Sequence, residues 1–183
     1  MYSNNDNKKD FEKESDINID PAIMVKADNQ NDLLNYNTQR ITSKEIDMES
    51  VLQSNGSDSS NIDGSIGATV IFIGTVRSFS DNGQVDGMTY EAYIGMAEER
   101  IKNIETVVKK MWNIKKIKII HRIGELTIGE KSIAIAISTS HSKDAFAACQ
   151  FILDKIKHDV PIWKNERLRD NRAKWIEGES IKE

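Results

Sequence analysis

The spacing of apolar residues changes several times along the chain, and each change marks an element. Ala145, Cys149, Ile152 and Ile156, with Phe146 and Leu153 beside them, recur at helical spacing. This helix must end near His158, because Pro161 pushes Val160 out of the α region. Ile162, Trp163 and the alternating Lys164 and Glu166 then read as a short strand, with proline tolerated at its start. Gly67 to Arg77 is β-branched and nearly continuous in its apolar residues. It is expected to be a strand covered on both faces. Gly87 to Tyr93 alternates as a second strand and is expected to pair with the first, across a polar loop from Ser78 to Gly83.

Other elements follow from the same reading. Met96, Ile101, Ile104, Val108 and Met111 stripe a helix from Gly95 to Trp112. Ile114 to Ile123 is a strand, and Gly124 to Glu130 a loop or hairpin element. Ser132 to Ser138 alternates isoleucine with small residues, which predicts one core face and one closely packed face. Gln39 to Ile41 opens the ordered body as a short strand. Thr42 and Glu45 have the spacing of a capping box ahead of a short helix carrying Ile46, Met48 and Val51. Residues 54–61 are turn formers, Arg167 to Arg172 form a basic loop, and Lys174 to Glu177 are a last strand. Single strands, strand groups and three helices in this order predict an α+β domain with a mostly antiparallel sheet and flanking helices.

Composition divides the chain in two. Residues 1–38 hold eight Asp or Glu against four Lys and few aromatics. Such a segment buries too little apolar surface to offset its conformational entropy, so a disordered tail is expected there and one domain over residues 39–183. Ile17, Ile19, Ile23, Met24 and Val25 offer at most a weak docking motif. Beyond the tail the charges balance, with 21 of each sign. A broadly basic nucleic-acid binder is therefore not expected. There is no run of 18 apolar residues to span a membrane, nor an apolar leader at the N-terminus. The single cysteine, Cys149, excludes an internal disulfide framework and fits a reducing cytoplasm. It lies on the apolar face of its helix and reads as packing.

The candidate chemistry is cationic. No phosphate-binding glycine loop, Rossmann fingerprint or Gly-x-Ser-x-Gly elbow is present. His121, His141 and His158 lack a paired ligand spacing, so no metal is expected. What remains is Arg77, His121, Arg122, His141, Lys143, Lys157 and Lys164 at strand and helix ends, a set suited to an anionic substrate. Lys157 ends a helix and Lys164 sits on the strand that leaves it. Such a corner can bring two ammonium groups to one pocket, where lysine chemistry is tuned. The plainer alternatives are a lysine that complements the helix dipole and, for Arg77, a surface ion pair with Glu91.

Several blocks together resemble one family. They are Phe72-Ile73-Gly74-Thr75-Val76-Arg77, Tyr90-Glu91-Ala92-Tyr93-Ile94-Gly95-Met96-Ala97, Ile120-His121-Arg122-Ile123-Gly124-Glu125-Leu126, Ser140-His141, and Lys157 with Pro161-Ile162-Trp163-Lys164-Asn165-Glu166 and the closing Trp175-Ile176. In order, over roughly residues 40–178, they resemble the catalytic (large) subunit of molybdopterin synthase. The resemblance implies an α/β hammerhead-type fold and a homodimer. Each end would hold a small ubiquitin-like sulfur-carrier subunit, making a heterotetramer. The carrier's C-terminal Gly-Gly thiocarboxylate would deliver sulfur to cyclic pyranopterin monophosphate, twice, to build the dithiolene of molybdopterin. By position, Lys157 and Lys164 would be catalytic, and Arg77, His141 and Arg122 would shape the substrate pocket. No cofactor is implied. In that family an arginine commonly follows the histidine matched by His141. Here Ser142 stands there, with Lys143 one residue later as a candidate replacement. The competing expectation is a non-catalytic module that binds a ubiquitin-like tail or an acidic peptide. It would need the basic groove but not both lysines.

Overall fold

The computed structural model describes residues 39–53, 64–170 and 172–176. The expected tail and the loop at 54–61 lie outside them. In chain order the elements are β1 (Ile41–Thr42), α1 (Met48–Leu52), β2 (Ala68–Thr75), β3 (Phe79–Ser80), β4 (Gly83–Ala92) and α2 (Ile94–Met111). They continue with β5 (Ile114–Arg122), β6 (Gly124–Thr127), β7 (Lys131–Thr139), α3 (Ser142–Asp159), β8 (Ile162–Leu168) and β9 (Ala173–Ile176). One sheet runs β1-β5-β7-β2 and a second β3-β4-β8-β9, with β6 also paired to β4. Among the described residues, only the β1–β5 pair is parallel. The α+β class with a mostly antiparallel sheet is as expected.

Strand β7 organises the core. Its isoleucines, Ile133, Ile135 and Ile137, pack with Ile101, Ile104 and Val108 of α2 and with Ala148, Cys149, Ile152 and Ile156 of α3. Each buried isoleucine contributes about 1.5–3 kcal/mol relative to leaving it in water. The alternate residues Ala134 and Ala136 face the other way and pack closely under Ile46 and Val51. Small side chains on that face let the short α1 segment approach the sheet. Cys149 is buried within the main core, and burial pushes its thiol up from its ordinary value, which suits packing rather than nucleophilic use.

Three expectations are corrected. Strand β2 pairs with β7, not with the strand that follows it, and lies at the edge of its sheet. Its residues alternate between half-buried and exposed, so it is covered on one face only, and Ile71 and Ile73 remain 36% and 42% exposed. The continuous apolar run reflects a one-sided strand with apolar residues on its bare face as well. The Thr42 capping box does not form. Thr42 Oγ1 accepts from Lys44 N in a turn, and α1 is capped by Asp47, whose side chain accepts from Glu49 N at 3.0 Å. The nearer acid, directly ahead of the helix, takes the cap. The stretch Ser78 to Gly83 is not all loop, since Phe79–Ser80 pairs with the start of β4.

Candidate active site

Antiparallel register builds the site from the small sheet. Tyr90 of β4 stands opposite Lys164 of β8, and Lys164 opposite Ile176 of β9. Residues directly opposite share a face, so Ile176, Lys164 and Tyr90 form one row. Above this row lies a cavity of about 780 Å³, which all three line. The C-terminal turn of α3 closes another side. The helix ends as expected, with Val160 extended before Pro161. The Pro161 carbonyl accepts from Tyr93 N at 3.2 Å, which ties the corner to the end of β4. Lys157 in the last turn of α3 and Lys164 on β8 both line the cavity, as does Arg77 just past β2. Three cations from three elements therefore face one space.

Uncharged groups and a few further charged ones, Arg100 and Asp159, complete the lining. Burial is the first cause raising the Tyr90 pKa above the ordinary phenol value, with neighbouring Ser132 opposing it, so the phenol stays protonated at neutral pH. His121, counted above among the cations, is 6% exposed, and burial lowers its pKa to about 4. It is therefore a neutral imidazole near pH 7. Its Nδ1 bonds to the Arg122 carbonyl at 2.9 Å. A carbonyl only accepts, so the proton sits on Nδ1 and Nε2 carries the lone pair. Arg100 of α2 also lines the cavity, one turn from Met96 on the same helix face.

The remaining predicted residues lie elsewhere. Arg122 donates to Glu130 Oε1 at 2.8 Å, and Glu130 also accepts from Thr127 N at 2.6 Å. The Thr127 backbone bond, then Arg122, holds the Glu130 carboxyl below its usual range. His141 is the N-cap of α3 with no side-chain cap bond, and Lys143 is exposed in the first turn. None of these three lines the cavity. Arg77 does not pair with Glu91, which faces away from Tyr90 on β4, opposite Trp163. Tyr90, Ser132 and Arg100 escaped the sequence reading. The one available signal was Arg100, a charge one helical turn after Met96 at the margin of an apolar stripe. Among the described residues, no group of three or more His, Cys, Asp or Glu is arranged to hold a metal.

Comparison with known proteins agrees with this architecture. The MoaE protein family model matches residues 41–159. A molybdopterin synthase catalytic subunit from Thermoplasma volcanium is 43% identical over 109 residues, 60% of this chain and 80% of that protein. The crystal structure of molybdopterin synthase from Staphylococcus aureus superposes with a TM-score of 0.67 at 34% identity, covering 76% of this chain and 96% of that one. The complex of subunits 1 and 2 of molybdopterin-converting factor from Helicobacter pylori shares the fold, with a TM-score of 0.62 at 21% identity over 78% of this chain and 92% of that one.

Proposed function

The chain belongs to the MoaE protein family, and from that premise we propose how its cavity performs sulfur transfer. It is a molybdopterin synthase catalytic subunit, an enzyme of molybdenum cofactor biosynthesis. We assign the donor as the C-terminal Gly-Gly thiocarboxylate of a small ubiquitin-like carrier, and the acceptor as cyclic pyranopterin monophosphate. The observation that carries this reading is the convergence of Arg77, Lys157 and Lys164 on one cavity. Thiocarboxylate and phosphate are both anions, and three cations draw them into one space. The thiocarboxylate sulfur bonds to a pterin carbon and displaces an oxygen substituent there. Water then adds to the carrier's acyl carbon, and charge gathers on the acyl oxygen. The C–S bond breaks to leave a carboxylate on the carrier and the sulfur on the pterin. A lysine ammonium beside the acyl oxygen stabilises that charge, and the second lysine moves protons at the pterin carbon. The sulfur arrives on a partner, so the buried Cys149 has no part in the step.

The finer assembly is also a proposal. The bare Ile71 and Ile73 face of β2 suits burial against a second copy, giving a homodimer with one carrier at each end. Lys143 and Lys157 stand fourteen residues apart on α3, about 21 Å along its axis. If His141 and Lys143 touch the substrate phosphate, they do so in the cavity of the second copy. No helix among the described residues is long and apolar enough to cross a membrane, and we place the reaction in the cytoplasm.

Mixing the protein with thiocarboxylated carrier and the pterin, then weighing the pterin by mass spectrometry, tests the reading. Sulfur gain is expected. Tight carrier binding with an unchanged pterin would establish the binding module instead.

A further inference from the structure

Beside the large cavity lies a second one of about 110 Å³, and Thr75, Arg77, Tyr90 and Lys164 line both spaces. These four form the partition between them. On the row across the sheet, Tyr90 faces Lys164 on one side and Gly124 on the other. Gly124 has φ +96° and no side chain to hold the phenol, so the phenol is fixed from other directions. Ser132, close enough to influence the phenol, is 4% exposed, and its hydroxyl donates to the Gly74 carbonyl at 3.2 Å. The Tyr90 ring meets the His121 ring edge-on, with centroids 5.2 Å apart and planes at 70°. His121 is in turn held by the Arg122 carbonyl. Tyr90 thus spans from the small sheet to β5 and β7 of the larger one.

The small cavity also contains an attractor. Glu166 lies two positions from Lys164 on β8, on the same face. It is 5% exposed, and its Oε2 accepts from Ser80 Oγ at 2.8 Å and Asn82 Nδ2 at 2.9 Å. An ammonium that swung to this carboxylate would gain an ion pair in a low-dielectric setting and leave the large cavity.

We propose that Tyr90 is a positioning residue for Lys164. Held beside Ser132 and against the His121 ring, the phenol keeps the Lys164 ammonium from pairing with Glu166 and holds it in the cavity that Arg77 and Lys157 also line. The benefit to catalysis rests on Lys164 taking part in sulfur transfer; the positioning does not.

Trace acylation with acetic anhydride, quantified at each lysine by mass spectrometry, reads the position directly. An amine beside a carboxylate holds its proton more tightly and acylates more slowly. Tyr90→Leu and Ser132→Ala, the second a small change that leaves the ring in place, should each slow acylation of Lys164 by about three- to tenfold relative to exposed Lys143. Adding Glu166→Gln to Tyr90→Leu should restore it. With saturating carrier, both single variants should lose about tenfold in kcat while KM for the pterin changes less than about twofold, the pattern of a misplaced reacting group. Unchanged Lys164 acylation in both variants, or no recovery with Glu166→Gln, overturns the proposal. If the unaltered protein transfers no sulfur, the functional reading falls, and the acylation result still decides the role of Tyr90.

Discussion

Two lysines seven residues apart meet in one cavity because a proline ends the helix between them and turns the chain into a strand. If both act on the transferred sulfur, Lys157→Ala and Lys164→Ala should each reduce turnover by about 100-fold or more, the scale of losing an acid–base group, with little change in Tm because neither side chain lies in the core. Near-normal turnover in either variant removes that lysine from the mechanism. His121 behaves oppositely, as a histidine kept uncharged by burial. Its pKa of about 4 in the folded chain lies below the ordinary 6.5. The unfolded chain therefore takes up the proton first as pH falls. The stability from burying neutral His121 is complete above about pH 6.5 and is lost as pH drops toward 4, to the extent of roughly 3 kcal/mol. Its imidazole resonances should keep neutral shifts at pH 5.5 in an NMR titration. A midpoint near 6.5 would mean that the ring is solvated.

The N-terminus of α3 carries a separate expectation. His141 is its N-cap and Lys143 lies in its first turn, where free backbone N–H groups favour an anion. Ser142 is the first helical residue rather than the cap, and Lys143 is exposed beside it. Lys143→Ala should raise KM for the pterin more than it lowers kcat, and Ser142→Arg in that background should restore binding with the bidentate fork that lysine lacks. A KM unaffected at low and high salt would leave the phosphate to Arg77 and its neighbours. Local signals made α3 and its corner legible: helical spacing, Pro161, and alternation in β8. Long-range pairing was not legible. Nothing in the run from Gly67 to Arg77 says that its partner is β7, whose paired residues lie 56 to 71 positions on. Nothing in Gly87 to Tyr93 says that Tyr90 will face Lys164. His121 read as a cation because burial depends on the elements packed over a strand, which its own neighbours in the chain do not record.

At the scale of the whole molecule, the reach of α3 decides how a site can be assembled. Its two ends carry groups that the family resemblance assigns to one substrate, yet only the C-terminal end lines the cavity. The proposed two-fold dimer would resolve this, because each copy would present the same surfaces to the other and could lend its His141 and Lys143 to its partner's cavity. The idea makes a quantitative claim about mixed chains. One variant carries Lys157→Ala with Lys164→Ala, the other His141→Ala with Lys143→Ala, and each alone should be nearly inactive. Unfolded together in equal amounts and refolded, half of the dimers contain one chain of each kind. If the site forms across the dimer, every mixed dimer has one intact site and one doubly defective site, and the mixture should recover about a quarter of normal turnover per chain. If each site is built within one chain, every site in the mixture lacks one pair or the other, and turnover stays at the parental level. Full activity of the His141→Ala, Lys143→Ala protein alone would show that neither residue serves the substrate in either copy. The bare face of β2 gives an independent check: Ile71→Glu with Ile73→Glu should shift the protein to a monomer in analytical ultracentrifugation and, if the site is shared, abolish turnover although all the cavity's own cations remain.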